Sequence, residues 1–305
     1  MPHRAPPSPK PAKPALRGNT RFHHEVKGAI GQLRHAVLRK ASALLQPAAP
    51  PPASRSAPQR HGLMAASYNV HRCIGIDNRF DPGRTAAVIE ELDADIVALQ
   101  EADRRFGHRA GLLDLGDVER RTGLSLVSVS AVPGGHGWRG NALLVRGGHA
   151  TQVRRLALPG AEPRGALIVD LDMAAGKLRV VAAHLGLLRR HRAMQAAAIL
   201  AALEGAAPMP TVLLGDLNEW RSGTHSSLAR LQPFFGPFTH PQQPSFPSRL
   251  PFLALDQILG HPHELVGPPQ VHDTSLSRIA SDHLPLCARL HLAAGLGVVD
   301  ASEAA

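Results

Sequence analysis

The chain has 305 residues with a hydrophobic share of 44%, enough to bury a sizeable core in one large α/β domain or two small ones. Its two cysteines, Cys73 and Cys287, are too few and too far apart for a disulfide framework or a cysteine zinc site, and a reducing compartment is the simpler reading. The formal net charge of +10 suggests a nucleic-acid binder until it is located along the chain.

Residues 1–60 hold eleven Lys/Arg, from Arg4 to Arg60, against the single acid Glu25. Removing these from the chain's 34 basic and 24 acidic residues leaves 23 of each in residues 61–305. The part able to form a domain is therefore neutral. Residues 1–20 and 47–60 are rich in Pro, Ala, Ser and basic residues, a composition that reads as tail or linker. Between them Val26, Ile30, Leu33, Val37, Ala41 and Leu44 recur at three- and four-residue spacing, predicting a short basic amphipathic helix over about 24–46. Such a helix suits a peripheral contact with an anionic membrane or an acidic partner; equally it docks on the domain or frays. An apolar run of 18 residues and a secretory h-region are both missing, so the expectation is a cytoplasmic chain, peripheral to a membrane if the helix binds one.

From residue 61 strands and helices alternate. Leu63 to Val70 reads as a strand, and Pro82 to Leu92 as a helix with Asp81 as N-cap and proline at the first position. Asp95 to Leu99 is a buried strand, and Leu112 to Thr122 a helix closed by Gly123. Short strands are expected at 126–130, 141–146, 151–157, 166–171 and 178–183. An Ala-rich helix over Arg189–Leu203 and a buried strand over 211–214 follow, then Pro-rich loops around 255–259 and 284–292. Grouped strands with helices between the groups predict two sheets packed face to face with helices outside. The expected layout is an N-terminal segment 1–60, a domain over 61–293 and a tail over 294–305, in a chain expected to be monomeric.

The strand ends carry the chemistry. Asn69 ends the first strand, Glu101 follows the second and His184 ends A-A-H. G-D-L-N-E supplies Asp216 and Asn218, L-D-Q-I-L supplies Asp256, and S-D-H supplies Asp282 and His283. Each has a bland explanation, since Asp and Asn favour turns and a lone histidine is often structural. Six polar strand ends in one domain are hard to reach that way. Carboxylates, amides and imidazoles at strand mouths suit metal-assisted attack on a phosphate ester, which needs hard oxygen ligands, a base for water and donors for phosphoryl oxygens.

The ordered set N-V-H, Q-E, G-N-A-L-L, H-L, G-D-L-N, L-D-Q-I-L and S-D-H-L-P resembles the endonuclease/exonuclease/phosphatase superfamily with its DNase I-like fold, across roughly residues 63–292. The style is most similar to its small bacterial hydrolases. The resemblance implies a four-layer α/β/β/α sandwich, two mostly antiparallel sheets with outer helices, and a site at one end of the sheets. It implies Mg²⁺ (or Mn²⁺) held by Glu101 with Asn69 beside it and Asp282 completing that side. Asp216 would orient or deprotonate the attacking water, and Asn218 would hold that water or a phosphoryl oxygen. His283, steered by Asp256, would contact the scissile phosphate. His184 would donate to the phosphate or leaving group, although no carboxylate partner for it is evident.

Asn141 is either a phosphate contact or simply a strand-start residue, and Arg139 either a phosphate donor or a solvated loop arginine. His136 and the loop 138–140 are candidates to line the pocket, as is S-F-P-S at 245–248. Arg104, Arg105 and Arg109, or Arg189, Arg190 and Arg192, make a basic rim or solvated faces. A lysine-dependent nucleotidyl transferase is disfavoured, because Lys177 is the only lysine in 61–305. A non-catalytic module would be expected to lose Glu101, Asp216 or His283, and all three are present. The reading is a phosphodiesterase of nuclease type; the alternative is a phospholipid or inositol-phosphate phosphoesterase at a membrane surface.

Overall fold

The computed structural model describes residues 62–292 apart from 105, 106, 108, 131, 238 and 239. The amphipathic helix expected over 24–46, Arg105 and the tail 294–305 lie outside the described residues. No described helix is long and apolar enough to cross a membrane.

Among the described residues, eleven strands form two mixed sheets. The first contains β1 (Leu63–Asn69), β2 (Ile96–Gln100), β3 (Ser125–Leu126), β4 (Ala142–Val145), β10 (Gln270–Val271) and β11 (Leu286–Leu290), in the order β10-β11-β1-β2-β4-β3. The second runs in sequence order through β5 (Gly148–Ala157), β6 (Gly165–Met173), β7 (Gly176–His184), β8 (Thr211–Asp216) and β9 (Asp256–His261). Each sheet is antiparallel except for one parallel pair, β1 with β2 and β7 with β8.

The four layers follow from the period of two in the strands. Ala65, Ile96, Ala98 and Leu143 of one sheet meet Leu178, Val180, Ala182, Val212 and Leu214 of the other in a shared core. The alternate residues Ala66, Tyr68, Val97 and Leu99 face outward onto Val88, Ile89 and Val118, which come from α1 (Pro82–Leu92) and α2 (Leu115–Thr122). Val181, Ala183 and Leu213 face Ala196, Ile199 and Leu203 of α3 (Arg189–Leu203) on the other outer side. Strands buried on both faces have no polar side to show, which is why they read as continuous apolar runs.

Asp81 caps α1 by accepting from Arg84 N at 2.9 Å. The second helix is shorter than its sequence suggests. Asp114 caps it by accepting from Asp117 N, so Leu112 and Leu113 stay in the preceding loop. The strand expected over 126–130 shortens to Ser125–Leu126, which pair in register with β4; beyond them a single bond, from Val127 N to the Leu143 carbonyl at 2.9 Å, continues the contact.

Both parallel pairs end at the same level, with Asn69 beside Gln100 and His184 beside Asp216. The antiparallel β9 starts there too, with Asp256 opposite Asp216. In G-D-L-N the glycine is required: Gly215 has φ +155°, and a Cβ on it would lie 1.8 Å from the Ala183 carbonyl oxygen.

Candidate active site

Asp216 is the hub. It is 2% exposed, accepts from Asn69 Nδ2 at 3.0 Å through Oδ2, and accepts from its own turn's Asn218 N at 3.1 Å through Oδ1. The same Oδ2 lies 3.3 Å from His184 Nε2 and 3.7 Å from His283 Nε2. Burial alone would push this carboxyl up. The charges of His283 and His184, with hydrogen bonds from His184 and Asn69, outweigh it and hold Asp216 below the usual carboxylate range. A group so held is ionised and suited to orient a donor such as water.

His283 is clamped from behind. Its Nδ1 lies 2.8 Å from Asp256 Oδ2, and that oxygen also accepts from Ser245 Oγ at 2.6 Å. Phe246 lies against the imidazole with ring centroids 4.9 Å apart, which puts S-F-P-S beside His283. Burial opposes the imidazolium, but Asp256 and Asp216 overcome it and push its pKa up to about 10. With Nδ1 committed to Asp256, Nε2 is the nitrogen presented toward Asp216.

His184 has a different support. Nη1 of Arg164 lies 2.8 Å from its Nδ1 and 2.6 Å from its Nε2, and Arg164 Nη2 pairs with Glu162 Oε2 at 2.8 Å. Glu162 Oε1 in turn accepts from Leu187 N, three residues beyond His184. Sequence reasoning missed this pair. The signal available was E-P-R at 162–164, two charges bracketing a proline just before an apolar strand.

Glu101, Asp282 and Asn69 flank one turn. Arg72 Nε is 3.4 Å from Glu101 Oε2, and His71 Nδ1 is 3.8 Å from Asp282 Oδ1. Asn69 Oδ1 accepts from His71 N at 3.0 Å, and the Asn69 carbonyl accepts from Ser281 Oγ at 2.7 Å. Glu101 holds a left-handed backbone with φ 55°, which turns its side chain out of the strand direction. Two carboxylates and an amide oxygen around one turn are hard donors of the kind Mg²⁺ and Mn²⁺ take. A second grouping suited to a cation is Asp216, Asp256 and His283, whose ligand atoms lie within 4.8 Å of one another. There, however, Asp256 Oδ2 is already shared by His283 and Ser245.

The remaining expected residues are placed as follows. Asn218, with φ 53°, donates from Nδ2 to the Leu185 carbonyl at 3.0 Å and so ties the turn after β8 to the end of β7. Asn141 is fully buried and donates to the Trp138 and Gly165 carbonyls, a brace between the sheets. Arg139 lines the pocket beside Glu101 and His184, and its Nη1 donates to the Arg164 carbonyl. His136 does not line it. This ring is buried and accepts from Leu113 N at 3.0 Å. Arg192 is not a rim residue either. It is 1% exposed and pairs with Glu219 at 3.3 Å while donating to the Gly186 and Leu187 carbonyls.

Residues 66–283 match the model of the "Endonuclease/Exonuclease/phosphatase family". Among solved structures, a protein of that description from Beutenbergia cavernae is 21% identical, with TM-score 0.54 over 76% of this chain and 72% of that one. One from Bacteroides vulgatus is 18% identical, with TM-score 0.60 over 77% of this chain and 100% of its own. A mannosyl-6-phosphatase from Bacteroides thetaiotaomicron is 18% identical, with TM-score 0.53 over 75% and 99%. No curated protein matches the chain. At these identities the likeness to the solved structures speaks for the fold.

Proposed function

Since the chain belongs to the endonuclease/exonuclease/phosphatase family, whose members hydrolyse phosphoester bonds, we propose that it is a divalent-metal-dependent phosphodiesterase of nuclease type. The observation that carries this reading is Asp216 Oδ2, set between two imidazole nitrogens at 3.3 and 3.7 Å and held by Asn69.

Glu101, Asp282 and the amide oxygen of Asn69 would hold Mg²⁺ or Mn²⁺, which when bound neutralises charge on phosphoryl oxygens and lowers the pKa of coordinated water. Asp216, kept ionised, orients the attacking water and accepts its proton. His283, charged and aligned by Asp256, donates from Nε2 to a phosphoryl oxygen as negative charge grows there. His184 stands on the other side of Asp216, where Arg164 fixes its ring and its position suits donation to the departing oxygen. Two histidines flanking one carboxylate can supply the proton that the departing alkoxide of a phosphate ester needs.

The lipid or inositol-phosphate alternative draws on the basic segment 1–60, outside the described residues. The test is turnover of bis(p-nitrophenyl) phosphate, single- and double-stranded DNA, RNA and a phospholipid panel, with Mg²⁺ and with EDTA. Metal-dependent cleavage of nucleic acid supports the proposal. Turnover that survives EDTA, or that is confined to lipids or monoesters, contradicts it.

A further inference from the structure

Beyond His184 the pocket is walled by four arginines, Arg72, Arg109, Arg139 and Arg164. Three of them are balanced by carboxylates: Arg72 by Glu101 at 3.4 Å, Arg109 by Asp103 at 3.2 Å and Arg164 by Glu162 at 2.8 Å. Arg139 is different. Its Nη1 donates to the Arg164 carbonyl at 2.9 Å and its guanidinium lies over Trp138, 5.2 Å from the ring centroid. Among the described residues no carboxylate balances it. The pocket thus keeps one guanidinium charge in excess, on a side chain already fixed by stacking and a hydrogen bond.

The backbone marks the same place. Arg72, Arg109 and Arg139 have φ of 57°, 46° and 49°, the left-handed region that non-glycine residues seldom enter. Such conformations persist where the surroundings over-determine them, and they gather at ligand clamps. The pocket is also open on its far side. A second hollow shares Asp103, Arg109, Arg139 and Pro163 with it and continues along Trp138 to Val132. An anion held at Arg139 would have the reacting histidine on one side and an aromatic and aliphatic wall on the other.

We propose that Arg139, with Arg109 in the same lining, forms a subsite for a second phosphate of the substrate, next in series to the scissile one, with the group beyond it lying along Trp138. The guanidinium fork matches two phosphate oxygens at once, which a lysine in its place would not. The ligand class is a substrate with at least two phosphates in series. That assignment rests on the phosphodiesterase reading.

The experiment is calorimetric titration of inorganic phosphate into the full chain in EDTA, for the wild type, Arg139→Gln, Arg139→Lys, Arg109→Gln and His283→Gln, each checked for folding by thermal melting. The wild type is expected to bind phosphate. Arg139→Gln should weaken it about tenfold, Arg139→Lys and Arg109→Gln by smaller factors, and His283→Gln less than Arg139→Gln does. No phosphate binding by the wild type overturns the proposal. So does a loss on His283→Gln with Arg139→Gln unaffected, because the anion then sits only at the reacting end. Phosphate binding that depends on Arg139 in a chain that cleaves no diester keeps the anion subsite and refutes the phosphodiesterase reading alone.

Discussion

Asp216 and Asp256 stand opposite each other in the antiparallel register of β8 and β9, yet the structure gives them different neighbours. Asp216 receives an amide from Asn69 and faces two imidazoles, whereas Asp256 is buried behind His283 and fastened to Ser245. In the proposed mechanism one carboxylate faces the attacking water and the other holds the imidazole that meets the phosphate. The environment, not the residue type, divides the work.

The His283 clamp has a pH signature. Its folded pKa of about 10 is above the ordinary 6.5, so the stability it contributes is complete below pH 6.5 and is lost as the pH rises through 10. In EDTA, the melting temperature of the wild type should fall between pH 7 and pH 10. The fall should be shallower in His283→Gln, whose side chain does not titrate there. Parallel curves for the two proteins would show that the imidazolium is not held by its carboxylates.

Arg192 and Glu219 form a pair in which both side chains are almost wholly buried. Removing one partner leaves the other charge buried and alone, at a cost of about 3–5 kcal/mol. Glu219→Gln should therefore lower the urea midpoint of unfolding strongly. Because Arg192 also holds the Gly186 and Leu187 carbonyls, the loop after His184 should lose hydrogen-exchange protection in the same variant.

This pair shows where the sequence could and could not be read. Glu101, Asp216 and His283 stood out because each ends or precedes an apolar run, and strand ends of a two-sheet sandwich converge. Arg192 read as a surface charge because nothing local announces Glu219, 27 residues away, as its partner. Arg164 was invisible for a related reason. It reaches His184 only because Gly165, its neighbour, pairs with His184 across β6 and β7, a register set by the whole hairpin. Asn141 read as a phosphate contact or a strand-start residue; its Nδ2 donates to the Trp138 and Gly165 carbonyls, an arrangement that nothing local in the sequence announces.

Arg164 and Glu162 act on His184 by position. Glu162→Gln releases Arg164 from its ion pair, so turnover of a diester should fall about tenfold or more while KM moves little. Steady-state kinetics on bis(p-nitrophenyl) phosphate would read this. A rise in KM with kcat unchanged would assign the pair to binding instead.

The cysteines should be inert. Burial pushes the Cys73 thiol up to about 11 and the Cys287 thiol up to about 12, so neither is a thiolate near neutrality. With Ellman's reagent at pH 8, the native chain should react slowly at both positions, and both should react rapidly in urea. Cys73 is fully buried and Cys287 half-buried, so fast reaction of Cys73 in the native chain would contradict this.

The most direct measurement is the turnover of Asp216→Asn on whichever phosphodiester the wild type cleaves with Mg²⁺. Asparagine keeps the size and can still face Asn69 and the histidines, but it cannot take a proton from water. The account predicts a loss of about 10²-fold or more in kcat with the fold intact. Turnover equal to the wild type would show that the carboxylate between the two imidazoles is not where the chemistry happens.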